Sequence, residues 1–281
     1  MQANNSNEPD NVGTLMEWIS SQPHLPKITE KDVKKFLHCN YDDVDGAKKT
    51  IENYYTFRTR CTDFFLSRDI NEQTIQTAMN LMMFAVLPKP SPEGYRIAFC
   101  RLIDSDTTNY VYLHATKFLV MCLDLWMEEE CFAPGHIIII DMEGMHLGHM
   151  AKMKISVMKN YTYYTQEALP IRIKQLHFLN VVPFMDKLMF LMRPFLQQKI
   201  LDAVNFHTTL ESIFKSIPLE CLPCQYGGEA GNLENLRRNY NLKLVKNRNK
   251  FIEEEAKYLV DETKRIPAPR RFMFGLFHRK A

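Results

Sequence analysis

Residues 136–149, with the sequence HIIIIDMEGMHLGH, place four polar side chains directly after the most apolar run of the chain. These side chains are Asp141, Glu143, His146 and His149. Carboxylates and imidazoles bind metal ions and transfer protons. On a strand, however, the two carboxylates would share one face, while the histidines would fall in the loop or helix beyond. We therefore favour a structural turn, in which Asp141 caps the strand end and Gly144 supplies a permissive backbone angle; a metal site is the alternative.

Cys221 and Cys224 have the CxxC spacing found in many zinc sites. A structural zinc site needs a second pair of ligands, and no suitably spaced pair follows in the sequence. We therefore expect two reduced thiols in a turn. The sequence also lacks the GxGxxG, P-loop, GxSxG and HExxH motifs. Without an acid–base or nucleophile set, it predicts a protein that is not an enzyme and needs no metal ion or cofactor.

The composition is that of an ordinary globular protein, with 46% hydrophobic and 24% charged residues. The longest aliphatic run, four isoleucines, is far shorter than the ~20 residues that span a bilayer. The N-terminus MQANNSNEPDN has neither the basic nor the apolar region of a secretory signal. The cysteine count, seven, is odd and favours reduced thiols. We expect a cytoplasmic protein without a transmembrane segment.

Positive charge is concentrated at the C-terminus. Residues 264–280 contain six basic and no acidic side chains, so residues 1–263 have a net charge of −4, compared with +2 for the whole chain. This distribution argues against a general nucleic-acid binder. An anionic partner is expected to meet a local basic patch.

The hydrophobic pattern predicts helices followed by alternating strands and helices. Residues 1–13 are predicted to be disordered, 14–75 to form an N-terminal helical bundle, 76–245 to form an α/β domain, and 246–281 to form a C-terminal helix and basic tail. Within these parts, the prediction places helices at 74–86, 110–130, 152–168, 183–192 and 208–216, and strands at 95–102, 137–141, 171–180 and 199–205. Strands joined by helices of this length imply a mostly parallel sheet.

Methionine and tyrosine are concentrated between residues 118 and 196. Such stripes are typical of a core, and flexible methionine also suits a wall that adapts to an apolar ligand. Residues 182–192 (VPFMDKLMFLM) are apolar apart from Asp186 and Lys187. A helix this apolar is buried, covers an apolar site or meets a membrane.

Four segments resemble one protein family in their order and spacing. They are FLHCNYDDVDGAKKTIENYYTFR (36–58), GHIIIIDMEGMHLGHM (135–150), LPIRIKQLHFLNVVPFMDKLMFLMRPFLQQKI (169–200) and LPCQYGG (222–228). Together they resemble the CRAL-TRIO (Sec14-like) lipid-binding proteins. The resemblance is to the branch of the alpha-tocopherol transfer and retinaldehyde-binding proteins, in an insect-like form, and it covers roughly residues 14–245.

The resemblance implies an α/β domain whose sheet floors an apolar cavity closed by a helical lid. The cavity-lining positions of the family fall on Phe118, Cys122, Ile140, Leu147, Met153, Tyr161, Tyr164, Leu169, Leu176, Leu188, Met192 and Leu196. The lid would contact membranes through Phe184, Leu188 and Leu191. The tyrosines depart from an all-aliphatic wall and are expected to bond a ligand oxygen or a buried water, because a buried hydroxyl without a partner is costly.

The resemblance also implies a cleft that binds phosphoinositide headgroups. Its basic positions fall on Arg58, Arg172, Lys174 and Lys199, while a further one falls on Ala203, where this chain departs from the family. Ordinary solvated surface charge is the alternative interpretation of these residues.

The function implied is an intracellular carrier of one small lipophilic molecule, such as a tocopherol, retinoid, carotenoid or terpenoid. It would exchange this ligand at phosphoinositide-containing membranes, to which it would bind peripherally, through lid opening. The alternative is a lipid-regulated phosphoinositide-binding interaction module without net transport. The sequence does not identify a protein partner.

Overall fold

The computed structural model describes residues 10–266, and the N-terminal part of this range is mostly helical. The N-terminal helices are α1 (Asn11–Ser20), α2 (Glu30–Cys39), α3 (Val44–Arg60), α4 (Thr62–Phe65) and α5 (Gln73–Leu81). Helix α2 begins with a capping box, in which Thr29 and Asp32 satisfy each other's backbone N–H groups. The first three helices bury Leu15, Val33 and Ile51 in a common core.

The sheet has five strands within the described chain, in the order β1-β2-β3-β4-β5. They are β1 (Met82–Val86), β2 (Arg96–Leu102), β3 (His136–Asp141), β4 (Ile173–Leu179) and β5 (Val204–Phe206). Strand β1 is antiparallel to β2, and the other pairs are parallel. The mixed α/β class and the mostly parallel sheet are therefore as predicted.

Helices cover one face of the sheet and short 3₁₀ turns cover the other. The remaining helices are α6 (Tyr112–Glu130), α7 (Leu147–Ala151), α8 (Ile155–Tyr163), α9 (Met185–Met192), α10 (Gln198–Leu201), α11 (Leu233–Lys246) and α12 (Arg248–Lys257). The first face, carrying Ile138, packs with α6 and α8. The opposite face, carrying Ile137 and Ile139, packs against Ile213 and Leu222. Side chains that alternate along β3 thus enter two different cores.

The predicted helix 74–86 is wrong in its second half, because α5 ends at Leu81 and the chain continues as strand β1. Met83 and Phe84 enter the cores on opposite faces of the sheet. A short run that is apolar at every position does not distinguish a buried strand from a buried helix.

Other boundaries also differ from prediction. Helix α1 begins at Asn11, inside the segment predicted to be disordered. The predicted helix 152–168 is α8 followed by a π-helical turn, Tyr164–Ala168. Lys199, placed on a strand by the sequence, lies in α10, and strand β5 has only three residues. The N-terminal residues 1–9 and the basic tail after 266 lie outside the described residues.

Candidate ligand cavity, lid and basic cluster

Two apolar clusters meet over one face of the sheet. The inner cluster contains buried side chains of β1, α6 and the π-helical turn, including Phe84, Phe118, Cys122 and Tyr164. The lid cluster contains Met142, Phe178, Val182, Met185 and Leu188. Ile140 and Leu176 contact both clusters.

Ile140 and Leu176 lie on β3 and β4, the strands paired on both sides, yet both remain partly accessible. Their neighbours on the same face, Ile138 of β3 and Phe178 of β4, are buried. Protein side chains therefore do not seal the sheet surface between the inner cluster and the lid cluster. Such an uncovered apolar floor is what a cavity for a lipophilic ligand requires.

Most predicted cavity residues surround this floor. Phe118, Cys122 and Leu169 are buried in the inner cluster, with Tyr161 partly accessible beside them. Met153, Leu188 and Met192 belong to or pack against the lid cluster. Half-buried Leu196 ends the 3₁₀ turn that follows the lid.

Leu147 and Tyr164 have other environments. Leu147 is 54% exposed at the start of α7, so it does not line an interior space here. Tyr164 is fully buried, and its hydroxyl donates to the Asp124 carboxylate. Its hydroxyl is therefore engaged with the protein itself.

Helix α9 lies over the floor and has one buried and one exposed side. Met185 and Leu188 are buried, whereas Phe190 is 79% exposed, the largest exposure among the large apolar side chains of the described chain. Phe190 and Leu191 line a shallow outer depression with Asp186 and Lys187. Three residues were predicted to contact membranes. Leu188 faces inward, and half-buried Phe184 packs against the lid cluster. Leu191 lines the outer depression.

Phe190 was missed because the apolar pattern of this helix does not tell its two sides apart. All positions from Leu188 to Met192 are apolar, so the sequence gives no polar side to orient the helix. The contacts of α9 with the sheet decide the orientation.

Helix α9 is the predicted lid. The segment that follows it, residues 195–197, is held by side chains of the π-helical turn. Gln166 Nε2 donates to the Phe195 carbonyl at 3.0 Å, and Gln166 Oε1 accepts from the Gln197 backbone N–H at 2.7 Å. Glu167 accepts from the Gln197 side chain and lies 3.1 Å from Lys49 Nζ. We call this the hinge contact. A π-turn shifts side chains relative to an α-helix and is frequent at functional sites, but nothing in the sequence pairs Gln166 with Gln197.

Three of the four predicted basic residues gather around Tyr41 and Cys39, in a group we call the basic cluster. Arg172 Cζ lies 4.0 Å from the centre of the Tyr41 ring, and Lys174 Nζ donates to Tyr41 Oη at 2.8 Å. Burial raises the pKa of the Cys39 thiol to about 12, although the charges of Arg172 and Lys199 act in the opposite direction. Tyr41 is exposed and was not predicted.

Arg58 is not part of the basic cluster. It is only 3% exposed, with Nη1 2.9 Å from Asp124 Oδ2 and Nη2 3.2 Å from Glu254 Oε2. Arg68 Nη2 lies 2.6 Å from the same Asp124 oxygen. Burial acts to raise the pKa of Asp124, but Arg58 and Arg68 outweigh it and the pKa lies below its ordinary value. We call these four residues the buried charge cluster, and in this environment Arg58 cannot reach a headgroup.

The structural interpretation of Asp141 is confirmed. Its carboxylate accepts from Glu143 N at 2.9 Å, from Asn180 Nδ2 at 2.8 Å and from the Tyr226 hydroxyl. Gly144 has a φ of 79°, the left-handed region that favours glycine. His146 does not contact Asp141; its Nε2 lies 2.7 Å from the Ser105 carbonyl oxygen. No group of three potential metal ligands is found among the residues of the described chain.

A model of the CRAL/TRIO domain matches residues 81–228, more than half of the chain. The chain belongs to the CRAL/TRIO domain family. This confirms the family predicted from the four sequence segments. A second model, described as a Pinta-like UBA domain, matches residues 4–75.

Two named proteins and one solved structure are similar to this chain. The alpha-tocopherol transfer protein-like protein of Mus musculus is 26% identical over 247 residues, which cover 86% of this chain and 71% of the relative. Clavesin-1 of Xenopus laevis is 21% identical over 221 residues, covering 77% and 67% of the two chains. The crystal structure of Sfh5 matches 90% of this chain and 100% of that chain with a TM-score of 0.51 at 13% identity, which shows a shared fold.

Proposed function

We propose that this CRAL/TRIO protein carries one small lipophilic molecule in the space between the inner cluster and the lid cluster. The observation that supports this most directly is the partly accessible apolar floor formed by Ile140 and Leu176 on doubly paired strands. Removing ligand surface from water, at roughly 25 cal/mol per Å² before the costs of binding, would retain the ligand. The mouse relative is named alpha-tocopherol transfer protein-like, which favours a tocopherol-like cargo. The resemblance of the sequence adds retinoid-, carotenoid- and terpenoid-like molecules to the proposed class.

Native mass spectrometry of the protein purified from its natural source tests this proposal. We expect a complex with one small lipophile, which solvent extraction then identifies. An intact protein without any bound lipid would contradict the carrier function, and a bound phospholipid would exclude the proposed cargo class. Incubation with the identified lipid should leave it chemically unchanged, since we propose binding without catalysis or a cofactor.

We further propose that the protein works in the cytoplasm and docks transiently on membranes that contain phosphoinositides. Among the described residues, no helix has both the length and the hydropathy required to cross a bilayer. The basic cluster would meet the headgroup, with Arg172, Lys174 and Lys199 as its cationic groups. Each basic residue near an anionic surface contributes about 1 kcal/mol, and salt screens this attraction.

The double variant Lys174→Glu/Lys199→Glu tests the headgroup proposal. We expect it to lose most of its binding to vesicles containing phosphatidylinositol bisphosphate and most of the salt dependence of that binding. Lys246→Glu/Lys257→Glu is a suitable control, because it changes the net charge by the same amount and both lysines are exposed outside the basic cluster, at the ends of α11 and α12. Equal losses in the control would show that net charge, not the basic cluster, governs docking.

A lipid-regulated interaction module without net transport is the second candidate, favoured by the same basic cluster. The two functions differ in transfer between vesicles. A carrier should move the co-purified lipid from donor to acceptor vesicles, whereas a module should bind the vesicles without accelerating this transfer.

A further inference from the structure

Tyr41 lies in the turn between α2 and α3, at a position that favours glycine. Its backbone N–H donates to the His38 carbonyl at 3.0 Å, and the Asp42 N–H donates to the Leu37 carbonyl at 2.9 Å. These two bonds form a Schellman motif, whose left-handed residue is usually glycine. Tyr41 has a φ of 57°, so its side chain carries a conformational cost at this position. Such a cost indicates that the side chain has a role of its own.

The role of Tyr41 is not to fill a core. Tyr41 is 62% exposed, and it is the one exposed tyrosine in the part of the chain that the structure describes. It belongs to none of the apolar clusters that the described residues form. It instead contacts two cations of the basic cluster, Arg172 and Lys174. These contacts indicate what the side chain is for.

Tyr41 orders these two cations without using up their donors. The Arg172 guanidinium is held by the Tyr41 ring, whose centre is 4.0 Å from Cζ, and by the His38 carbonyl, to which Nη2 donates. Lys174 Nζ is held by its 2.8 Å bond to Tyr41 Oη. A guanidinium has five N–H donors and an ammonium three, so both cations keep donors for an anion. Neither of them forms an ion pair with a carboxylate of the described residues.

Ordered cations matter most for a headgroup whose phosphates are clustered. Attraction to a uniformly anionic membrane depends mainly on how many charges the protein presents near its surface. A phosphoinositide headgroup instead takes charge-assisted hydrogen bonds, which depend on geometry. Cations that are already ordered lose less conformational freedom when they bind it. The Tyr41 hydroxyl adds an O–H donor, for which the described residues supply no acceptor.

Resting on the proposed headgroup binding, we propose that Tyr41 is a specificity-determining residue that makes the basic cluster prefer phosphoinositides over other anionic lipids. It does so by positioning Arg172 and Lys174 and by donating to a headgroup phosphate. Two basic positions of the family pattern are missing from this cluster, since Arg58 lies inside the protein and Ala203 has no charge. Three cations and one tyrosine hydroxyl then form the site.

The experiment compares two kinds of phosphatidylcholine vesicle with the same negative charge, one containing phosphatidylinositol bisphosphate and the other phosphatidylserine. Binding of the full chain is measured by sedimentation, and urea unfolding gives the stability of each variant. We expect Tyr41→Gly to weaken binding to the bisphosphate vesicles about tenfold, because two cations must then be ordered on binding. Binding to the phosphatidylserine vesicles should not change. The urea midpoint should not fall, because glycine suits this turn.

Two further variants separate the side chain from the turn. Tyr41→Phe keeps the ring beside Arg172 and loses the hydroxyl, so we expect an intermediate loss of about threefold on the bisphosphate vesicles. Asp42→Gly is the control, since Asp42 is exposed in the same turn with a φ of 62° but is not part of the basic cluster. It changes the net charge by one, which acts on both kinds of vesicle alike, so the preference should be unchanged.

Any of three results would overturn the role of Tyr41. They are a bisphosphate preference that survives Tyr41→Gly, an equal loss on both kinds of vesicle, and the same loss of preference in Asp42→Gly. The second of these would mean that the exposed ring contacts the membrane itself. A lower urea midpoint in Tyr41→Gly, together with lost binding, would show a structural role and also overturn the proposal. Wild type without any preference for the bisphosphate would overturn the headgroup binding itself, and with it the selectivity assigned to Tyr41.

Discussion

At the scale of single residues, Arg58 shows that burial and neighbours decide what a charged side chain does. The family pattern places a headgroup-binding arginine here, whereas the structure pairs it with Asp124 and Glu254 inside the protein. Burial raises the pKa of Glu254, because the two guanidinium groups only partly offset the loss of water. The buried charge cluster is therefore finely balanced and sensitive to the loss of one member.

Replacing Arg58 by leucine should destabilise the fold by about 3–5 kcal/mol, because it leaves buried carboxylates without a partner. Urea unfolding measures this change. Arg60→Leu is the matched control, two residues along the same helix, where an exposed pair with Glu262 contributes at most about 1 kcal/mol. A fully stable Arg58→Leu protein that fails to bind phosphoinositide vesicles would instead support the role given by the family pattern.

His136 should make stability depend on pH. Its Nδ1 accepts from Arg172 N and its Nε2 donates to the Glu130 carbonyl at 3.1 Å, so neither nitrogen can accept another proton without losing a bond. Burial lowers the pKa of His136 to about 4. Between pH 6.5 and 4 the unfolded chain binds a proton that the folded chain does not. The free energy of unfolding therefore decreases by about 3 kcal/mol as the pH is lowered from 6.5 to 4.

Urea unfolding at pH 7 and pH 4.5 measures this loss, and the variant His136→Asn should lose less between the two values. Titration of His136 followed by NMR provides the control. An imidazole that titrates near pH 6.5 in the folded protein would contradict the prediction.

The positions of single cavity residues were predictable only where the family pattern and burial agree. Ile140 and Leu176 lie on the sheet face between the two clusters, since an apolar side chain on a strand paired on both sides has few alternatives. Gln166 could not be predicted, because the partners of a polar side chain distant in sequence depend on the packed fold.

At the scale of elements, helix α9 carries Phe190, the most exposed large apolar side chain of the described residues. Helix α9 is short, with eight residues, and only one side of it is buried. The apolar run in the sequence predicts this helix, but it does not predict which of its residues face the solvent. The strand β1 was misassigned for the same reason, since an apolar run has no period until another element covers one side.

Phe190→Asp should reduce binding to neutral phosphatidylcholine vesicles at least about tenfold, since a charge at this site opposes entry into the apolar part of the bilayer. The free energy of unfolding should change little, because the ring has few contacts to lose. Leu188→Asp is the contrasting variant and should destabilise the protein, because Leu188 is 3% exposed. Vesicle binding by Phe190→Asp equal to that of wild type would contradict a docking role for the outer side of α9.

At the scale of the whole molecule, the hinge contact connects the N-terminal helices, the lid and the basic cluster. Glu167 pairs with Lys49 of α3 and also holds Gln197, two residues before Lys199. A headgroup phosphate at Lys199 would therefore bind beside the end of the lid. If the proposed headgroup binding and lid opening both occur, we expect each to influence the other, because both involve one short stretch of backbone, residues 195–199.

Gln166→Ala should accelerate ligand release into neutral vesicles roughly tenfold, because the Phe195 carbonyl and the Gln197 N–H of the closed lid lose their partner. If phosphoinositides open the lid by weakening the same hinge contact, they should accelerate release from wild type and add much less in Gln166→Ala. Transfer of the co-purified lipid to vesicles with and without phosphatidylinositol bisphosphate measures both effects. Gln198→Ala is the control, since its side-chain amide donates to Asp202, the residue that follows α10. An unchanged phosphoinositide effect in Gln166→Ala would show that headgroup and lid act independently.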